Sequence, residues 1–441
     1  MWINKNGVFL LVAIKKQMTM FKSTLFLFIL CITSSGFAQK ILFDATKAEM
    51  CGNADWIIDA DAHNIYFNST THIPYVSAGS TTGASYAQRI PTPAQSGITA
   101  STLETYWEGG ISAIAVDCAK QGYIVETLPY NGAITYGTTA IQDLSNYKAF
   151  VITEPNTLFT ASEKTAIMNF IANGGGLMMI CDHAGSDRNN DGNDPPAVWN
   201  DFLTNNGVAN NGLGITFDSL SNISGNSTSF APLTSTNPYY SIFHGTFGAP
   251  VQVLWTGGAT MTINTTNNSS AKGLVFKSGS STTGLTNVFV AATTYLNGKV
   301  FAVGDSSIID DGTGDTGDTL YTGYTGDASG NHQKLLMNGM IWLMTPTLNN
   351  KENSFDATHF SIAPNPVQDK QIHFSFSLEE IQKTTISIYD TLGRLVIEKS
   401  LSNGNIGVNY ENLDVSELQS GIYICKLATA SNSKSLQVIV K

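Results

Sequence analysis

Leu177-Met178-Met179-Ile180 is apolar at four consecutive positions. A strand buries both faces only when other layers cover it, as in a parallel sheet. The run follows a segment that opens with Phe159-Thr160-x-x-Glu163, a capping box preceded by an aromatic residue. Ile167, Phe170 and Ile171 then share one helical face, and Asn173-Gly174-Gly175-Gly176 stops the helix. A second short apolar run, Ala149-Phe150-Val151-Ile152, stands before that helix. Strand, helix, strand in this order is the repeating unit of an α/β fold.

The pattern extends in both directions. Ile41-Leu42-Phe43 and Tyr123 to Leu128 read as strands. Between them a helix is predicted from the capping box Ser101-x-x-Glu104, through Trp107, Ile111, Ile114, Ala115 and Cys118, to Gly122. From Asn211 to Thr294 the chain is rich in Gly, Ser, Thr and Asn, with strand-like runs at Val251 to Trp255, Ala259 to Ile263, Gly273 to Phe276 and Asn287 to Ala292. The α/β pattern returns at Lys299 to Gly304, and a helix from His332 to Leu343 carries Leu336, Met340 and Leu343 on one face. The expected fold is therefore α/β over residues 40–348: a doubly wound, largely parallel sheet with an antiparallel β extension.

At the N-terminus Lys22, the apolar stretch Leu25 to Ile32 and the small-residue run up to Ala38 form the n-region, h-region and cleavage pattern of a secretory signal peptide. Residues 1–38 are read as the leader. The residues before Met18 or Met20 lengthen it beyond the usual size, so an upstream start is expected. No other segment approaches the roughly 20 apolar residues that span a bilayer, so no transmembrane helix is expected in the mature chain.

Residues 349–358 are a polar linker into a C-terminal region of different character. Gln371 to Ser377, Thr384 to Tyr389, Leu395 to Lys399, Ile422 to Leu427 and Leu436 to Val440 alternate with period two between Gly, Asn, Asp and Ser breaks, predicting a small β-sandwich over 359–441. Pro364 and Pro366 suit an edge strand there, because proline cannot donate to a ladder. Pro364-Asn365-Pro366, Tyr389-Asp390-x-x-Gly393-Arg394, Ser420-Gly421-Ile422-Tyr423 and the terminal Lys441 occur in order. This region resembles the type A C-terminal sorting domain of the type IX secretion system of Bacteroidota. The resemblance implies a secreted or cell-surface protein that engages the type IX secretion machinery.

With 13% charged residues and a net charge of −11, the chain repels polyanions, so nucleic acid is not an expected partner. Cys51, Cys118, Cys181 and Cys425 contain no C-x-x-C pair, which argues against a zinc cluster; one disulfide among the first three is compatible with export. Leu144 to Val151, the capped helix and Gly174 to Ile180 look like the core of the class I glutamine amidotransferase-like fold. In that family a Gly-x-Cys-x-Gly elbow follows, and Cys181 matches its nucleophile. Here the place reads Ile180-Cys181-Asp182-His183, without the small neighbours a strained elbow needs. Asp182 would also raise the thiol pKa, so amidotransferase chemistry is not expected.

Carboxylates punctuate the strand ends: Asp44, Glu154, Asp182 and Asp305, with Asp55, Asp59 and Asp61 after the first strand. In doubly wound sheets such positions converge on one crevice. Asp182, His183, Asp305 and Ser306 are the catalytic candidates, against the plainer reading that each acid caps the next turn. Asp187-Arg188-Asn189-Asn190-Asp191-Gly192 matches the first half of a Ca²⁺ loop. Val198 stands where a bidentate Glu belongs, so a Ca²⁺ site would use Asp187, Asn189, Asp191 and Asp194 irregularly. Trp199, Trp255, Tyr239, Tyr240, Tyr321 and Tyr324 are available to stack on sugar rings or to pack the core. Two functions stay open: an α/β domain that binds a carbohydrate, peptide or Ca²⁺, and a hydrolase of glycans or peptides using the acidic strand ends.

Overall fold

The computed structural model describes residues 39–58, 65–76, 95–219, 223–314, 318–321, 323–327, 329–346, 360–378, 381–429 and 433–441. The expected leader and linker, together with Asp59 and Asp61, lie outside these residues. Two compact units divide between Thr347 and Leu348.

The first unit is mixed α/β. Ile124–Leu128, Lys40–Asp44, Ala149–Thr153, Gly176–Ile180 and Gly298–Val303 lie side by side in that spatial order, all parallel. Every residue of the 149–153 and 176–180 strands is buried, as unbroken apolar runs require. Beyond the 298–303 strand the sheet turns antiparallel through Val288–Tyr295, Met261–Ile263 and Ile215–Phe217, with Lys272–Phe276 also paired to 288–295. The expected strand near Val251 forms as Val253–Gly258, but it joins Ile223–Ser227 in a separate two-stranded sheet.

The helix Ala161–Ala172 keeps both halves of its capping box: Glu163 N–H donates to Thr160 Oγ1 and Thr160 N–H to Glu163 Oε2. The corresponding expectation at Ser101 fails. Glu104–Tyr106 makes one 3₁₀ turn, and the helix begins only at Ser112–Lys120. Gly109 sits between them at φ +89°, where a Cβ would also strike the Ile57 carbonyl, so the chain turns before it can coil. Glu104 instead reaches Lys120 Nζ at 2.5 Å. The closing helix runs Asn331–Met344. A Cβ at Gly298 would strike the Ile171 carbonyl, while Phe301 of the same strand would meet one at Gly339. One core joins the strands to these helices.

The second unit, expected as a small β-sandwich, contains seven strands in one curled sheet. Its order is Leu395–Gly404, Gln382–Asp390, Gly421–Ala428, Ser433–Val440, Ser361–Gln368, Gln371–Leu378 and Gly407–Asp414. Inward-facing Ile372, Phe374, Phe376, Ile386, Ile388, Leu427 and Val438 fill its interior. The proline-bearing strand is not at an edge; it lies between 433–440 and 371–378. The Asn365 side chain replaces lost ladder bonds, donating to the Gln437 carbonyl at 2.8 Å and accepting from Ile439 N–H at 2.9 Å. Among the described residues no helix is long and apolar enough to cross a membrane.

Candidate ligand-binding site at the strand ends

Three adjacent parallel strands end in register, with Thr153 opposite Ile180 and Ile180 opposite Val303. The next residues extend the ladder, Glu154 N–H donating to Ile180 O and Cys181 N–H to Val303 O, each at 2.9 Å. That register carries Glu154, Asp182 and Asp305 out at one edge of the sheet, all buried. Glu154 turns the chain in a left-handed conformation, φ +50°, unusual for a residue with a side chain.

Arg188 organises these acids. Its Nε donates to Glu154 Oε1 at 2.6 Å, Nη2 to Asp182 Oδ2 at 3.1 Å and Nη1 to Asn53 Oδ1 at 2.7 Å. Its backbone N–H is fixed by Asn156 Oδ1 at 2.8 Å. Ser306 Oγ donates to the other Glu154 oxygen at 2.7 Å. Asp305 caps the turn after its strand, accepting from Ser307 N–H at 2.8 Å, Ser307 Oγ at 2.6 Å and Thr256 N–H at 2.6 Å. Burial, then Glu154 and Asp305, push the Asp182 carboxyl well above its ordinary range despite Arg188. Burial likewise pushes Asp305 up to about 6 and Asp310, in the following loop, to about 7.

The sequence candidates therefore meet, but not as a catalytic triad. His183 Nε2 stands 3.9 Å from Asp182 Oδ2, beyond hydrogen-bond reach, and its Nδ1 pairs with the Ala184 carbonyl at 2.9 Å. Ser306 and Ser307 each donate to a carboxylate. Cys181 is buried and donates to the Asp182 carbonyl at 3.2 Å; burial, then Asp182, push its thiol well up. That is the opposite of an activated nucleophile. All four cysteines among the described residues are free and buried, so the disulfide that the sequence allowed does not form.

Beside Asp305 opens a cavity of about 270 Å³ lined by Thr256, Ser307, Tyr321, Asp327 and His332, with Leu254 at its wall. Leu254 N–H donates to His332 Nε2 at 2.9 Å and Nδ1 pairs with the Gly323 carbonyl at 2.6 Å, which fixes the neutral tautomer. Burial lowers the His332 pKa further. Of the six aromatic residues singled out in the sequence, Tyr321 lines this cavity. Trp199, Trp255, Tyr239 and Tyr324 are buried, and Tyr240 stacks on His244.

The 187–194 loop spends its oxygens on its own backbone. Asp187 accepts from Asp191 N–H and Gly192 N–H, and Asp191 from Asn193 N–H. Asp194 caps the helix Pro195–Thr204 through Ala197 N–H and also accepts from Gly185 N–H. Asn189 is buried, with Nδ2 donating to Thr157 Oγ1 at 3.1 Å. Among the described residues no group of three or more His, Cys, Asp or Glu side chains is arranged to hold a metal ion.

Two participants were not singled out in the sequence. Arg188 has no ligand role in the Ca²⁺-like motif that contains it, although it is one of only three arginines in the chain and stands among acids. Glu49 is buried close to Asp44; burial, then Asp44, push its carboxyl well up. Nothing in its local pattern marks it, because it reaches Asp44 only through the turn that follows the strand.

Residues 361–441 match the family described as the secretion system C-terminal sorting domain. The chain is a type IX secretion substrate, delivered to the cell surface or extracellular space. An endo-acting ulvan lyase from Formosa agariphila is 26% identical over 96 residues, 21% of this chain and 17% of that protein's length. The solved mmIFT52 N-terminal domain is similar over 70% of this chain and 99% of its own, with 13% identity and a TM-score of 0.39. A ThuA-like protein from Parabacteroides merdae covers 51% of this chain and 79% of its own, at 14% identity and a TM-score of 0.29. Dimeric latent PorU from Porphyromonas gingivalis covers 19% and 9%, at 20% identity and a TM-score of 0.16. At these scores the structural likenesses carry no argument, and the amidotransferase-like reading gains no support from them.

Proposed function

We propose that this exported chain is a binding protein whose α/β unit takes a neutral polar ligand, such as a carbohydrate, in the cavity beside Asp305. The observation that carries the reading is the state of the reactive groups. Ser306, Ser307 and Cys181 all donate to acceptors of the protein itself, and Arg188 is spent on Glu154 and Asp182. What faces the cavity is a tyrosine ring, hydroxyls, a neutral imidazole and the Asp327 carboxylate, a lining suited to a hydroxylated ligand. The doubly wound reading of the sheet is supported by the parallel order and by Gly298 and Phe301, three positions apart on one strand, meeting different helices. An N-terminal signal peptide completes the proposed export route.

The hydrolase reading rests on Asp182, whose carboxyl burial, then Glu154 and Asp305, push well above its ordinary range, the direction in which a general acid is tuned. One experiment separates the two. The mature chain and its Tyr321→Ala and Asp182→Asn variants are titrated with glycans while the reducing ends released are counted. Binding without release, weakened in Tyr321→Ala, supports the binding protein. Release that disappears in a folded Asp182→Asn variant overturns it in favour of the hydrolase.

A further inference from the structure

A second cavity, about 330 Å³, opens among Thr46, His72, Tyr130, Asn131, Thr157 and Asp191. Its walls come from a particular place in the topology. Thr46 follows the 40–44 strand, Tyr130 and Asn131 follow 124–128, and Thr157 follows 149–153. These are the three strands at which the spatial order reverses, the first strand lying between the second and third. In open α/β sheets the crevice outside such a reversal is where ligands bind.

The walls are also braced. Tyr130 packs against the small apolar cluster of Ala45, Met50 and Ile57, which holds its ring as a platform. The hairpin of Ile65–Phe67 and Pro74–Val76 contributes His72. His72 is pinned by its Nδ1 to the Asn189 carbonyl at 2.9 Å, while the Asn189 side chain holds Thr157. The motif that resembled half a Ca²⁺ loop thus clips the hairpin over the cavity. Among the described residues no lysine or arginine lines it, Asp191 does, and Asp44 and Glu49 are buried close to Thr46, whose N–H donates to Asp44 Oδ1 at 3.2 Å. An anion would meet Asp191, and the neighbouring cation, Lys47, is already paired with Glu163 at 2.8 Å.

We propose that this cavity is a second binding site, taking a neutral hydroxylated ring of sugar type against Tyr130, with Asn131 and Thr157 as polar partners. Its volume is at the small end for ligand pockets, which fits one ring rather than a chain segment. The source is either a free monosaccharide or the end unit of a glycan.

The test titrates the mature chain with glucose, galactose, mannose and N-acetylglucosamine, with their short oligomers, and with glucuronate as the acidic counterpart, followed by saturation-transfer NMR. A neutral sugar should bind, and the binding that persists in Tyr321→Ala, where the cavity beside Asp305 is impaired, should fall about tenfold or more when Tyr130→Ala or Asn131→Ala is added. Tighter binding of the oligomer than the monomer assigns a chain end; equal binding assigns the free sugar. Asn131 is exposed, so its variant keeps the test valid should Tyr130→Ala not fold. Native protein that binds none of the neutral sugars in the millimolar range, glucuronate bound in preference, or loss of binding in Tyr321→Ala alone would overturn the proposal. The last outcome would leave the cavity beside Asp305 standing by itself.

Discussion

Arg188 Nε lies 2.6 Å from Oε1 of Glu154, a fully buried carboxylate on a left-handed backbone. The contact ties the end of one central strand to a loop 34 residues later. Glu154 also receives Ser306 Oγ from a third segment, so one carboxylate sets the spacing of the strand-end loops. Strain of this kind persists only where the surroundings over-determine it.

Removing the guanidinium should be costly. Arg188→Met leaves Glu154 and Asp182 buried without their cation, and breaking a buried pair typically costs about 3–5 kcal/mol. Arg188→Lys keeps a charge but cannot reach Glu154, Asp182 and Asn53 together, so its loss should be intermediate. Urea unfolding of the three proteins gives the order; a Met variant as stable as the native chain would show that the hub contributes nothing.

The raised acids predict how stability varies with pH. Asp44 and Asp305 are pushed up to about 6 and Asp310 to about 7, all first by burial, from an ordinary value of 3.8. The folded state therefore holds protons that the unfolded state has released. That contribution is full below the unfolded pKa and is lost as pH rises through the folded values, so stability should fall between about pH 4 and 7. Asp143 works at the other end. Although burial pushes it up, bonds from Ser145 and Thr138 carry it below the usual carboxylate range, so its contribution is lost only in stronger acid. The melting temperature should be several degrees lower at about pH 8 than at about pH 5, and Asp310→Asn should narrow the gap. A higher melting temperature at the alkaline end would contradict these shifts.

Calcium is the next case. The backbone N–H groups of Asp191, Gly192 and Asn193 already occupy the carboxylates of the 187–192 turn, and Asp194 is committed to its helix. An Asx-type loop of this sort is held by its own backbone. The melting temperature with millimolar Ca²⁺ should then match that with chelator to within about one degree, because an ion stabilises only by binding the folded state. A larger rise, abolished by Asp187→Ala, would instead assign an ion to the loop.

Where physics acts locally, the sequence was readable. Thr160 and Glu163 lie three residues apart and cap the helix that their spacing announced. Ser101 and Glu104 have the same spacing, but Gly109 and the approach of Ile57 decide that segment, and Ile57 is far away in sequence. The strand-end acids were legible because parallel strands finish on one side; Arg188 was not, because its partners come from positions 53, 154 and 182. Asp194-Pro195-Pro196 did carry a local signal, a capping acid followed by N1 proline, but the Ca²⁺-like motif beside it drew the residue into a different role.

The two units should separate cleanly. Among the described residues, the core of the α/β unit draws none from beyond Met344, and that of the C-terminal unit none from before Phe360. Each unit has an apolar core of its own, which is the condition for independent folding. Deleting Ser354 to Lys441 should leave the α/β unit with an unchanged melting temperature and unchanged sugar binding at both cavities. The same deletion removes the sorting domain, so the truncated chain should accumulate inside the cell while the full chain reaches the surface or the medium. Fractionation and immunoblotting read the delivery, and calorimetry of the purified fragment reads the fold. Unchanged delivery would remove the sorting role from residues 361–441, whereas a fragment that aggregates or melts early would show that the α/β core is incomplete without its C-terminal neighbour.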